Sequence, residues 1–292
     1  MKLRGLLIAS VLAAVLHGAA FAQTAADYNS LGLQYDRQGN YDKAIENYVK
    51  AKDIVEKTMG KENPTYAILL NNIGHTCTNK GDYANAERFL MDAKAVMERI
   101  QAKQSSDYAI IINNLGILYH STGDYKKAET YYLEAKNIRE RTLGKEHPSY
   151  SISLNNLGSL YDMMGDYAKA ERFQLEAIAI REKTLGKEHP YYITSVNNLG
   201  MLYFNTGDYA RAERFFLDAR AIQEKVSGKE NPSYALALNN LGETYRAKGD
   251  YANAERYHLE AKAVREKVLG KYHSDYAQSV NNLGLLYHIM GE

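Results

Sequence analysis

Histidine, cysteine, tyrosine and asparagine are the side chains here whose spacing could make a site, in a chain of 292 residues with eight His, one Cys and 25 Tyr. A metal site needs several donors converging on one ion, most simply as two His one helical turn apart. His75, His120 and His288 lie far apart, with no His-x-x-x-His pair and no clustered carboxylates. His147 and His189 stand in Glu-His-Pro turns, where helix capping accounts for them. Cys77 has no histidine placed beside it as a required base, so it reads as a buried structural thiol. Gly-rich phosphate loops, Gly-x-Ser-x-Gly and His-Glu-x-x-His do not occur. These residues point to no enzyme, no cofactor and no metal. What remains is carboxamide chemistry: six Asn-Asn pairs, at Asn71, Asn113, Asn155, Asn197, Asn239 and Asn281. Asparagine is a poor helix-interior residue, so its recurrence has a cause beyond helix formation. A carboxamide both donates and accepts, which suits the backbone of an extended peptide. The same groups could equally bridge neighbouring helices and never meet a ligand.

The elements that position these pairs follow from an internal repeat. Gly-Asp-Tyr recurs at Gly81, Gly123, Gly165, Gly207 and Gly249, a period of 42 without insertion or deletion. Ile112, Leu115, Gly116 and Tyr119 follow helical spacing, and so do Ala128, Tyr131, Ala135 and Ile138. Each unit is therefore two amphipathic helices, A and B, too small to bury its apolar face alone. Gly123 is placed to end helix A in the left-handed conformation and Asp124 to cap helix B. His147-Pro148 and Asn231-Pro232 start the next A helix. Gly116 in mid-helix would cost about 1 kcal/mol against Ala, so its recurrence predicts close A–B packing. Eighteen tyrosines fall at the positions of Tyr66, Tyr83 and Tyr119 and are read as core. Helix B charges such as Glu171, Arg172, Arg181 and Glu182 are read as a solvated face. Ala102 and Ser106 replace a glycine and a proline between the second and third units, which predicts a softer or differently angled joint.

Leu115, Gly116, Tyr119, Ala128 and Ala135 match the small and large positions of the tetratricopeptide repeat, and the 42-residue period resembles its kinesin-light-chain-like bacterial variety. The A helices are aliphatic where the family has tryptophan, and the helix B aromatic stands one residue early, as at Phe89, Tyr131, Phe173, Phe215 and Tyr257. The resemblance implies an all-α, right-handed superhelical solenoid of helix-turn-helix repeats. It also implies a concave groove lined by the fifth and sixth A-helix positions, which are Asn71, Asn72, Asn113, Asn114, Asn155, Asn156, Asn197, Asn198, Asn239 and Asn240. The variable positions on that face include Ile117, His120, Asp162, Met163, Met201, Phe204, Glu243 and Arg246. Ile117, Met163, Met201 and Phe204 would form an apolar strip for a protein or peptide partner, or else belong to the core. Arg246 is the only Lys or Arg on the face, which argues against a clamp for acidic tails.

Composition bounds the remainder. With 36 basic against 35 acidic residues, the chain lacks the excess that phosphate binding needs, so nucleic acid is not an expected partner. Residues 1–22 read as a signal peptide: Lys2 and Arg4, then the apolar Leu6 to Leu16, then Ala20-Phe21-Ala22. That apolar run is too short to span a membrane, so cleavage after Ala22 and an exported product, periplasmic or secreted, are expected. Residues 24–275 make six repeats, and 276–292 make helix A of a seventh. That lone helix, with Val280 and Leu283, suggests two other readings. One is the arm of a longer exported protein with an effector domain such as a caspase-like peptidase, which the resemblance implies. The other is a spacer that self-associates through this helix.

Overall fold

The computed structural model describes residues 24–291, and every regular element among them is helical. The expected signal peptide lies outside the described residues. Two compact units divide at Gly144. The first holds α1 (24–37), α2 (Tyr41–Met59), α3 (Pro64–Lys80), α4 (Tyr83–Arg99), α5 (Ser106–Ser121) and α6 (Tyr125–Leu143). The second holds α7 (Pro148–Met163), α8 (Tyr167–Leu185), α9 (Pro190–Asn205), α10 (Tyr209–Ser227), α11 (Pro232–Ala247), α12 (Tyr251–Leu269) and α13 (Ser274–Met290). Odd-numbered helices are the A helices and even-numbered ones the B helices. No described helix is long and apolar enough to cross a membrane.

Local chemistry sets the boundaries as expected. Asp124 accepts the Lys127 amide at 3.2 Å, His147 accepts that of Ser149 at 3.1 Å, and Gly123 has φ 78°. The joint at Ala102 closes differently. Gln101 takes the left-handed conformation at φ 58°, α4 ends at Arg99, and the Ala102 amide donates to the Met97 carbonyl at 2.8 Å. A non-glycine residue thus supplies the turn one position early, at a conformational cost a glycine would avoid.

The mid-helix glycines are notches. A Cβ on Gly116 would stand 2.4 Å from the Tyr132 ring, one on Gly74 2.7 Å from Leu90, one on Gly200 2.6 Å from Phe216, and one on Gly242 2.6 Å from His258. Tyr132, Leu90, Phe216 and His258 are all fully buried, so one close A–B approach holds very different side chains. The aromatic one residue earlier stacks on the A-helix tyrosine: Tyr119 on Tyr131 at 5.5 Å, Tyr203 on Phe215 at 5.5 Å, Tyr245 on Tyr257 at 5.4 Å. The hydroxyl of the same tyrosine crosses to the preceding B helix. Tyr119 donates to Glu87, Tyr203 to Glu171, Tyr245 to Glu213 and Tyr287 to Glu255, each at 2.6 Å. Tyrosine at this position therefore joins hairpin to hairpin as well as A to B.

Cys77 stands at that tyrosine position in α3, and Ile45 stands where the partner glutamate would be. An apolar pair replaces a polar one. Burial, helped by Asp82, pushes the Cys77 thiol up to about 11. Iodoacetamide near neutral pH is expected to leave Cys77 unmodified in the folded chain and to label it in urea; labelling at equal rates would refute its burial. The Tyr66 position is core as read in both units, from Tyr66 to Tyr234. The Tyr83 position is not: Tyr83 and Tyr167 are exposed, because they open the B helices rather than face A.

In the second unit, α13 packs on α12 through the buried Leu283 and Leu286. Leu283 therefore belongs to the core and not to an open face. Val280, Leu285 and Ile289 are exposed, and a Cβ on Gly284 would meet nothing within 4 Å.

Candidate functional site

The asparagine pairs form a ladder. In the first unit, Asn72 Nδ2 donates to Asn29 Oδ1 at 3.0 Å, and Asn114 Nδ2 to Asn71 Oδ1 at 2.9 Å. In the second, Asn198 donates to Asn155 at 3.1 Å and Asn282 to Asn239 at 2.9 Å. The second member of a pair thus donates to the first member of the preceding pair. This satisfies amides that burial would otherwise penalise and ties successive A helices together.

Helix B arginines complete the ladder. Arg139 Nη1 donates to Asn113 Oδ1 at 3.2 Å, and Arg181 Nη1 to Asn155 Oδ1 at 3.1 Å. Arg181 is 2% exposed, which corrects its reading as part of a solvated face. It lies one turn after Ala177 and shares the inward face with Ala170 and Gln174. Its guanidinium also reaches Ser151 Oγ at 2.9 Å, the Tyr191 carbonyl at 2.8 Å and Ser195 Oγ at 2.6 Å, so one side chain fastens α7, α8 and α9. All these acceptors are neutral. Burial pulls the basicity of Arg139 and Arg181 down to about 10, which leaves both charged at neutral pH.

The ladder is open at one rung. Gln223 replaces the arginine in α10, Asn197 bonds back to its own helix at the Ile193 carbonyl at 3.1 Å, and its Oδ1 is buried without a partner. The carboxamide of Asn240, which would have met it, has no partner among the described residues. It lines a 280 Å³ cleft with Met201, Phe204, Phe216, Asn239, Glu243, Gln278 and Asn282. Met201, Phe204, Asn239, Asn240 and Glu243 were expected on this face, and Asn282 belongs to the sixth Asn-Asn pair; Phe216 and Gln278 were not expected. Only proximity in the fold marks them out.

The two carboxylates of the A-helix face, Glu243 in the cleft and Asp162 on α7, are held differently. Burial would raise the Glu243 pKa, but His258 and Arg246 outweigh it and hold the carboxyl below its usual range. Arg246 meets Glu243 Oε2 at 2.6 Å, so its charge is committed within the chain. His258 Nε2 lies 3.2 Å from Glu243 Oε1 without the alignment of a hydrogen bond. Asp162, on α7, accepts from Asn205 Nδ2 at 3.0 and 3.2 Å. Met163 is 61% exposed and Met201 38%, while Phe204 is half-buried against Tyr209.

Ile117 and His120 belong to the first unit and are half-buried. His120 packs edge-on to Tyr125 and Tyr132, and burial lowers its pKa, so the ring is neutral at pH 7. Asn156 is half-buried, like Asn197 and Asn198. No group of three or more His, Cys, Asp or Glu able to hold a metal occurs among the described residues.

Helical hairpins repeating every 42 residues, with a notch glycine in each A helix from α1 to α11, define a repeat scaffold. The tetratricopeptide repeat profile matches residues 23–99, 107–183, 163–225, 192–260 and 233–292, and the chain belongs to that family. Solved structures share the fold. BtubC (BKLC) from P. vanneervenii has 23% identity and a TM-score of 0.63, with 87% of this chain and 94% of that one covered. A Podosopora anserina chain of kinesin-light-chain type with nearly identical TPR-like repeats has 24% identity and a TM-score of 0.60, with 70% and 98% covered. A Rap protein complexed with competence and sporulation factor has 15% identity and a TM-score of 0.63, with 90% and 74% covered. No curated protein matches the chain.

Proposed function

We propose that this chain is an exported, non-catalytic scaffold that holds an extended segment of a protein partner along its A helices, centred on α9 and α11. The open rung at Asn240 carries the proposal. There an unpaired carboxamide faces a cleft walled by Met201, Phe204 and Phe216, a pairing of backbone donor-acceptor and apolar pocket that suits a peptide. The bonded asparagines serve this reading by holding the A helices in register. Export rests on Lys2, Arg4, the apolar Leu6 to Leu16 and Ala20-Phe21-Ala22.

Short random peptides displayed on phage and selected against the full chain test the binding reading. Peptides recovered this way should lose affinity about tenfold or more on Met201→Lys or Phe204→Ser. Undiminished affinity in both variants would rule out the α9 face. A second reading, self-association, is favoured by Val280, Leu285 and Ile289 on α13, which are 46%, 43% and 42% exposed. A concentration-dependent mass abolished by Val280→Asp would support it.

A further inference from the structure

We propose that the segment held on this face presents a basic side chain, Lys or Arg, to Asp162 while one of its apolar side chains fills the cleft beside Phe204. This rests on the reading of α7, α9 and α11 as the binding face and adds the chemistry of the partner. The charged groups of that face are Asp162, Glu243 and Arg246. Glu243 and Arg246 neutralise one another at 2.6 Å. Asp162 has no cationic partner among the described residues; its carboxylate is met only by the neutral amide of Asn205, at 3.0 and 3.2 Å. The face therefore carries one uncompensated negative charge.

Three further observations place that charge in a binding surface. Asp162 is half-buried, and burial raises its pKa despite Asn205, the signature of an anion short of favourable partners. Its half-burial means that an added cation is screened less there than at an open surface, and Met163, the next residue, is 61% exposed to a partner's apolar side chain. Asn205, which holds the carboxylate, directly follows Phe204 in the cleft wall, so the cation site and the apolar pocket are neighbours. An acidic segment fits poorly, because Arg246 is already taken and Asp162 would repel it.

The test uses the full chain and short random peptides displayed on phage. Selection on the wild type should enrich Lys or Arg next to Leu, Ile, Met or Phe, and selection on Asp162→Asn should keep the apolar preference and lose the basic one. Replacing the basic residue of a recovered peptide by Gln should weaken binding about five- to twentyfold on the wild type and leave binding to Asp162→Asn unchanged. Asp162→Thr, which installs the residue that Thr78 supplies at the same position of α3, gives the same comparison should Asn disturb the fold. Enrichment of apolar residues alone, enrichment of acidic residues, or a Gln penalty that persists in both variants would overturn the assignment to Asp162. Recovery of no peptide at all would instead overturn the binding face on which it rests.

Discussion

Gly200→Ala is expected to destabilise the chain by about 1–3 kcal/mol, whereas Gly284→Ala should stabilise it by about 0.5–1 kcal/mol. Both glycines stand at the same position of an A helix in the second unit, and both gain helix propensity from the substitution. They differ in what the new methyl meets. At Gly200 it would stand 2.6 Å from the fully buried ring of Phe216, which cannot withdraw without moving α10. At Gly284 it would meet nothing within 4 Å. Urea unfolding followed by circular dichroism reads both midpoints, and opposite shifts are the expected outcome. Equal shifts would mean that the glycines serve local helix geometry and not close approach.

Arg181→Met should cost about 1–3 kcal/mol, because Ser151, Asn155, Ser195 and the Tyr191 carbonyl lose the donors that compensate their burial. The chain contains a remedy. In α4 and α5 the equivalents of Arg181 and Ser195 are Met97 and Ile111, both buried. Adding Ser195→Ile to Arg181→Met should therefore restore part of the loss, while Ser195→Ile alone should destabilise, since it removes an acceptor and overpacks the joint. A double-mutant cycle should give a coupling of about 1–3 kcal/mol. Additive losses would show that Arg181 acts independently of Ser195.

The contrast between these residues shows how far the sequence could be read. A strict period, the turn glycines, the caps and the helical spacing are local signals, and they locate the helix boundaries of the described residues to within a residue or two. The glycine at position 116 and its equivalents also predicted close packing, because a mid-helix glycine is costly unless something needs the space. The pairings were harder to see. The asparagine ladder joins residues 43 positions apart, and the tyrosine–glutamate links join residues 32 apart, separations that no helical period reveals. The charge of Arg181 suggests solvent, but its place on the face of Ala170, Gln174 and Ala177 puts it in the interior. The open rung at Asn240 could not be read from the Asn-Asn pair itself, which is the same in every repeat. Nor does Gln223 in place of arginine mark it, because Met97 stands at the same position of α4 and the Asn114–Asn71 bond is still made.

The central claim is that a partner segment lies along the A helices of the second unit. Photo-crosslinking tests it most directly, using a peptide recovered by selection on the full chain, carrying a benzophenone at its apolar anchor and mapped by mass spectrometry after proteolysis. Adducts on Met201, Phe204 or Met163, in peptides from α9 and α7, are predicted. Adducts confined to the B helices α8, α10 and α12, or to the exposed residues of α13, would contradict it.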